Sequence, residues 1–437
     1  MVELASTTPS VSGGITTDPR VARSKPDVRS FALLVAPLAL LLILFWTYRL
    51  EQTEFLKLAC IVFGGFAVSY WLPFRFKQLF FILLSLAGAV VLLGPLVAGL
   101  LIASGLLIYT AVRTRLALGW KVALLLSIAA AAIFLRASGY FEMWREFWPV
   151  FGAIFAVRTI VYVYDVQHAP GPPRLKDFLS YFYLLPNYLF MFFPVIDYQT
   201  FQRSYFKRHI NEVAQQGVWW IFRGTTHLLL YRLVYQAQGF FTPPQVPVPI
   251  AVAGKILLAF PLYLHISGQF HISIGMLHLF GYDLPETNHR YFLAKGITEL
   301  WRRANIYWKD FMVKIVYMPA YFKLRRKGEF RAQLLATGLV FPVTWFLHAW
   351  LFFMVQNRLR FTVNDAIFWT ILGGTVVLNV LITSKRPKPK LQTGWKAKLW
   401  SGAQIVGTFL FVTTLWSMWS AQSISEWLLF LKTGSAN

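Results

Sequence analysis

The chain has 437 residues, 57% of them apolar, 17% aromatic and only 14% charged, with a mean hydropathy of +0.53. A water-soluble fold of this length could not hide that much apolar surface, so composition excludes a soluble enzyme or binding module and implies an integral membrane protein. The formal net charge of +24 does not indicate nucleic acid, because the basic residues gather in short links between apolar runs, as the positive-inside rule produces in multi-span proteins.

Residues 1–30 are rich in Ser, Thr, Pro and Gly and carry four basic and three acidic side chains; they are expected to form a disordered cytoplasmic tail. The apolar run at 31–46 begins late and lacks a small-residue cleavage site, so it reads as an uncleaved first span and not a signal peptide. About 20 helical residues cross a hydrocarbon core of roughly 30 Å. Runs of that kind lie near 31–50, 56–73, 78–113, 119–136, 146–164, 178–197, 217–236, 249–282, 333–355, 364–383 and 400–420. Gly94-Pro95 divides 78–113 into two short helices or one broken helix, and 249–282 could cross once and turn back. The apolar runs are continuous and show none of the alternation of lipid-facing strands. The expected fold is therefore an all-α, polytopic transmembrane helical bundle of about 11 spans.

Charge sets the expected orientation. Lys385-Arg386-Pro387-Lys388-Pro389-Lys390, with Lys396 and Lys398, contains no acidic residue and should be cytoplasmic. Counting back two spans places the basic segment 285–331 on the same side and the link from Asn357 to Asn364 outside. Cys60 is the single cysteine, which precludes an intrachain disulfide, and it reads as a small buried hydrophobe. The sequence shows no repeat, P-loop, zinc-type cysteine pattern or dinucleotide fingerprint, and no metal site is expected. Ala169-Pro170-Gly171-Pro172-Pro173 reads as a stiff loop.

Composition also divides the chain. Residues 31–140 are nearly pure Leu, Ala, Val, Ile and Phe, as lipid-facing scaffold helices are. Residues 141–385 add Asp165, Asn187, Asp197, His227, His265, Gln269, His271, His278 and His348 within apolar runs, so a polar interior and any catalytic core belong there. Residues 386–437 comprise a basic cytoplasmic loop and a C-terminal span. His348, inside the run from Leu339 to Trp350, is a functional candidate by default, because an ionisable group at membrane depth is costly.

Several ordered motifs fall in the same region. They are Tyr162-Val163-Tyr164-Asp165-Val166, then Phe192-Phe193-Pro194, then Tyr263-Leu264-His265-Ile266-Ser267-Gly268-Gln269-Phe270-His271-Ile272-Ser273-Ile274-Gly275 with Leu279-Phe280-Gly281-Tyr282-Asp283-Leu284-Pro285-Glu286-Thr287-Asn288. Ile297-Thr298-Glu299-Leu300-Trp301-Arg302-Arg303-Ala304-Asn305-Ile306-Tyr307 and Tyr317-Met318-Pro319 follow, and Thr344-Trp345-Phe346-Leu347-His348-Ala349-Trp350 completes the series. Together, over roughly residues 146–385, they resemble the signature regions of the membrane-bound O-acyltransferases, closest to the branch of bacterial alginate O-acetylation and teichoic-acid D-alanylation. The chain departs from that branch at His265 and His271, where acidic residues are usual, at Ala304-Asn305, which replaces an aromatic-His pair, and at the residues flanking His348, which lack glycines. Other branches of the superfamily carry Asn at the position of Asn305.

The resemblance implies a bundle with a central tunnel in a bacterial cytoplasmic membrane, N-terminus inside. It also implies an O-acyltransferase moving a short, acetyl-like acyl group from a cytoplasmic thioester to a hydroxyl of an envelope glycan or similar acceptor. No bound cofactor is implied; acyl-CoA or another acyl thioester is the co-substrate. Membrane lipids and a periplasmic or membrane partner protein are the expected neighbours.

The chemistry stands on the residues themselves. Acyl transfer to an alcohol needs a base, and imidazole has an ordinary pKa of about 6.5, close to operating pH; His348 fits that role. The oxyanion that develops on the carbonyl needs a fixed donor, which the Asn305 amide can supply. His265, His271, His278, Trp301 and Trp345 are candidate tunnel-lining residues, and Arg302, Arg303, Arg325 and Arg326 candidate contacts for donor phosphates. With Cys60 in the scaffold and no Ser-His triad pattern, direct transfer without a covalent intermediate is expected. Each residue also has a plainer reading: His348 as an interhelical hydrogen-bonding group, Asn305 as a helix cap, the arginines as topological charge, and Asp165 and Asp197 as bundle-holding partners of Arg158 or Arg203. A noncatalytic relative acting as a scaffold and a membrane transporter or channel are the alternative functions; inverted repeats, which would favour transport, are not seen.

Overall fold

The computed structural model describes residues 26–139, 145–169, 171–190, 193–359, 361–384 and 394–435. Residues 1–25 of the tail expected at 1–30, and residues 385–393 of the basic loop, lie outside the described residues; Val28–Ser30, within the expected tail, are already helical. Among those described the chain is all-helical, and ten helices are long and apolar enough to cross a membrane. It is a polytopic helical bundle, integral to the membrane.

The first five helices are α1 (Val28–Tyr48), α2 (Thr53–Trp71), α3 (Phe74–Leu93), α4 (Pro95–Arg113) and α5 (Leu118–Ala137). Asp27 starts α1 by accepting a hydrogen bond from the Ser30 amide at 2.8 Å, satisfying a donor that the first turn leaves unpaired. The run at 78–113 is indeed two helices: Gly94 takes φ +82° and Pro95 opens α4, because glycine accepts a left-handed φ and proline suits a first helical turn. Cys60 lies on the exposed side of α2, correcting its reading as a buried hydrophobe; a span has an outer face that lipid covers, and an apolar thiol is at home there.

A π-helical turn at Pro149–Phe155 leads into α6 (Ala156–Gln167). The expected span at 178–197 does not form. The chain instead makes the short α7 (Leu175–Phe182), a single 3-10 turn at Leu185–Tyr188 and, over the described residues 193–197, a non-helical stretch before α8 (Tyr198–Ser204). Pro186 and Pro194 interrupt helical pairing. Non-helical backbone at membrane depth is tolerated only where protein encloses it, and Tyr181, Phe182, Tyr183 and Leu184 are completely buried.

The polar α9 (Ile210–Phe240) is not among the ten most apolar helices, yet its ends meet opposite ends of α1. Near its start, Asn211 accepts from the Tyr70 hydroxyl at 3.0 Å, and that hydroxyl also donates to the Asp27 carbonyl at 3.2 Å. Near its end, Arg232 donates to the carbonyl of Tyr48 at 2.5 Å and to that of Arg49. Its 31 residues span about 46 Å at 1.5 Å each, so α9 runs the full depth of the bundle. The segment 249–282 continues as one kinked run, α10 (Val248–Ala259), a 3-10 turn and α11 (Leu264–Leu279), and does not turn back.

Helices α9 and α11 are antiparallel and touch backbone to backbone. A Cβ on Gly224 would lie 2.6 Å from the Gly268 carbonyl, and one on Gly275 would lie 2.6 Å from that of Gly217. Small residues let helix backbones approach closely where lipid supplies no hydrophobic drive. Gly224→Leu should therefore wedge the pair apart and destabilise the protein by about 2 kcal/mol or more, read as a lower thermal midpoint in detergent.

Three short helices follow, α12 (Ile297–Ala304), α13 (Ile306–Met312) and α14 (Met318–Leu324), and then the long α15 (Glu329–Gln356), α16 (Val363–Ser384), α17 (Trp395–Ser420) and α18 (Ile424–Thr433). Asp165 and Asp197 do not pair with Arg158 or Arg203 as expected. Both accept from Lys314, which joins α6, the cap of α8 and the turn after α13. Arg158 points the other way, into the bend after α7.

Candidate functional site

A cavity of about 410 Å³ opens where α6, the α10–α11 turn, α12, α13, α15, α16 and α17 converge, and His348, Asn305 and Trp301 all line it. The walls are otherwise aromatic and aliphatic, with the indoles of Trp308, Trp369, Trp416 and Trp419 and the rings of Phe260, Tyr263, Phe270 and Phe368. A few polar groups converging in an apolar concavity are the usual form of a small-molecule site.

His348 sits in the second half of α15, eight residues before Gln356. Its Nδ1 lies 2.8 Å from the Thr344 carbonyl oxygen. That oxygen can only accept, so the tautomer assigned to the neutral ring carries its proton on Nδ1 and leaves the lone pair on Nε2. Two indoles fix the ring plane, Trp308 at 5.0 Å and Trp369 at 5.1 Å between centroids. Trp369 and Trp419 are in turn held by α16: the Trp419 Nε1 donates to Asp365 Oδ1 at 2.7 Å and its ring stacks on Phe368 at 4.3 Å.

Asn305 stands at the break between α12 and α13. Its Oδ1 accepts from the Trp308 amide at 3.0 Å, so it is the N-cap of α13, and its amide nitrogen makes no hydrogen bond among the described residues. The cap reading and the cavity reading are thus both satisfied, by different atoms of one side chain. Just before it, the Ala304 carbonyl accepts from the Tyr263 hydroxyl at 2.7 Å and from Asn288, which pins the break against α11.

Other candidates lie elsewhere. Trp345 does not line the cavity; its ring meets Phe361 at 5.5 Å. His265, His271 and His278 are also outside the cavity. His265 contacts Glu51 at 2.9 Å and stacks on Tyr231 at 4.6 Å. His271 stacks flat on Trp220 at 5.2 Å and its Nδ1 lies 3.0 Å from Thr287 Oγ1. His278 is buried, with Nδ1 2.9 Å from the Ile274 carbonyl. All three histidines lie along the contact of α11 with α9, beside Tyr231, Trp220 and Gly217 respectively. Among the described residues no three His, Cys, Asp or Glu side chains gather as metal ligands.

Of the arginines, Arg325 and Arg326 are exposed on the turn after α14. Arg303 is committed to Glu299 at 2.6 Å, and Arg302 is half-buried beside it. A Ser-His contact that no sequence spacing reveals joins Ser267 Oγ to His227 Nδ1 at 2.9 Å, with the Tyr291 hydroxyl 3.0 Å from the same serine. Ser267 is completely buried and does not line the cavity.

The sequence pointed to Trp301 but not to the cavity's other indoles, and it offered Arg158 only as a partner for the aspartates. Trp416 and Trp419 come from α17, beyond residue 385, so the C-terminal span contributes to the cavity wall. Their spacing of three on one helical face, and an arginine in the middle of the apolar run 146–164, were the available signals. Phe193 and Pro194 of the Phe-Phe-Pro motif line the cavity; Phe192 lies outside the described residues. No protein-family model matches the chain, and no curated protein matches it significantly.

Proposed function

We propose that this protein is a membrane-bound O-acyltransferase that moves an acyl group from a cytoplasmic thioester such as acyl-CoA to a hydroxyl of an envelope glycan or similar acceptor. The observation that supports it best is the pairing, in one aromatic cavity, of a histidine whose free lone pair is on Nε2 with an asparagine whose amide nitrogen is unengaged. The acceptor oxygen attacks the thioester carbonyl carbon while His348 Nε2 takes its proton. The oxyanion is met by the Asn305 amide. Collapse expels the thiolate, which recovers the proton from the imidazolium, so the products are an ester and a free thiol.

The face shared by Asp27, Asn211 and the basic α12–α14 segment is the cytoplasmic one under the positive-inside rule. His348 then lies nearer the outer face, about 28 Å along α15 from Glu329 at 1.5 Å per residue, a depth that suits donor and acceptor arriving from opposite sides. Arg325 and Arg326 are the exposed cations best placed for the donor's phosphates. Thioester consumption by purified protein in nanodiscs, across short and long acyl-CoA donors, tests the reading. Arg325→Glu with Arg326→Glu should raise KM for acyl-CoA by about 10-fold with little change in kcat, as loss of uniform binding does. No turnover with any thioester, from folded protein, would overturn the assignment.

A further inference from the structure

Arg158 is 1% exposed in the middle of α6. Its Nη1 donates to the carbonyls of Tyr181 at 2.9 Å and Phe182 at 3.0 Å, and its Nη2 to Asn187 Oδ1 at 3.2 Å, while Nε has no partner. The rings of Tyr181 and Phe193 lie 5.3 and 4.9 Å from its Cζ. Every one of these partners is neutral, and among the described residues no carboxylate pairs with it. The contacts orient the guanidinium and leave its charge uncompensated.

A neutral donor could tie α6 to the end of α7 equally well. A permanent cation at membrane depth marks a place where an anion comes. Arg158 lines the same cavity as His348, no acidic side chain among the described residues lines that cavity, and the remaining wall is dominated by Trp301, Trp369, Trp416 and Trp419. We infer that the cavity binds an amphipathic anion, its apolar body against the indoles and its carboxylate or phosphate seated at Arg158. The inference holds whether or not the protein transfers acyl groups; if it does, the substrate portion that enters this cavity carries that anionic group.

Equilibrium binding of radiolabelled dodecanoate, dodecyl phosphate and dodecanol to the full-length protein in detergent tests it. The wild type should bind at least one anion about 10-fold or more tighter than dodecanol, the scale of a hydrogen-bonded charge, and the preferred anion identifies carboxylate or phosphate. Arg158→Gln should erase the preference, Arg158→Lys should retain most of it, and the surface variant Arg75→Gln should leave it unchanged. Leu372→Trp, which fills the cavity without touching Arg158, should abolish saturable binding of all three and serves if Arg158→Gln does not fold. Equal affinity for anion and alcohol in the wild type, a preference that survives Arg158→Gln, or saturable binding that survives Leu372→Trp would overturn the inference. Because these readouts need no turnover, their failure is separable from failure of the acyl-transfer reading.

Discussion

Replacing His348 with alanine is expected to lower thioester turnover by about 100-fold or more, the contribution of a positioned general base, while the protein stays folded. The fold should tolerate it because, among the described residues, the ring hydrogen-bonds only to the Thr344 carbonyl of its own helix. That oxygen keeps its backbone partner when the ring is gone, so no buried acceptor is left unpaired. What is lost besides the base is ring packing against Trp308 and Trp369, a contact that a cavity wall can surrender in part. The pH profile gives a second readout. Turnover in the wild type should decline on the acid side as Nε2 becomes protonated, and that limb should vanish in His348→Ala with the residual rate. Exogenous imidazole, entering the space vacated beside the cavity, should restore part of the activity. Full turnover in folded His348→Ala would remove the general-base assignment.

Asn305 allows a sharper test, because two atoms of its side chain are assigned two tasks. Oδ1 caps α13 through the Trp308 amide, and the amide nitrogen is the proposed oxyanion donor. Asn305→Ala removes both and should cost about 1 kcal/mol of stability, the typical value of an N-cap, together with about 100-fold or more in kcat, the scale of one lost oxyanion-hole donor in a serine protease. Asn305→Asp keeps a capping oxygen and replaces the donor with a carboxylate that repels the oxyanion. It should unfold at nearly the wild-type temperature and turn over at least as poorly as the alanine variant. If Asn305→Asp retains wild-type turnover, Asn305 is a helix cap and nothing more.

Much of the architecture was legible in the sequence because lipid imposes a simple rule: a backbone that cannot bond to water must bond within its own helix. The apolar runs therefore announced most of the helices, and Gly94-Pro95 announced the break between α3 and α4. The same rule misled at 178–197, where protein and not lipid surrounds the chain and an apolar, aromatic stretch rich in tyrosine is free to bend. It also marked only 217–236 of α9, because Asn211, Glu212, Gln215 and Gln216 lower the hydropathy of its first turns. The placement of Lys314 between Asp165 and Asp197 was hidden because its partners lie 149 and 117 residues away.

By itself the sequence determined that this is a multi-span helical membrane protein, where most helices begin and end, and that His348 and Asn305 deserve scrutiny, because those properties depend on the local cost of polar groups in lipid and on caps that act within a turn. Only the tertiary structure decided which polar residues share a space. Periodicity assigns a face to each residue but does not say which helix that face meets. His265, His271 and His278 therefore lie along the contact of α9 with α11, while Trp416, Trp419 and Arg158, far apart in the chain, line one cavity with His348.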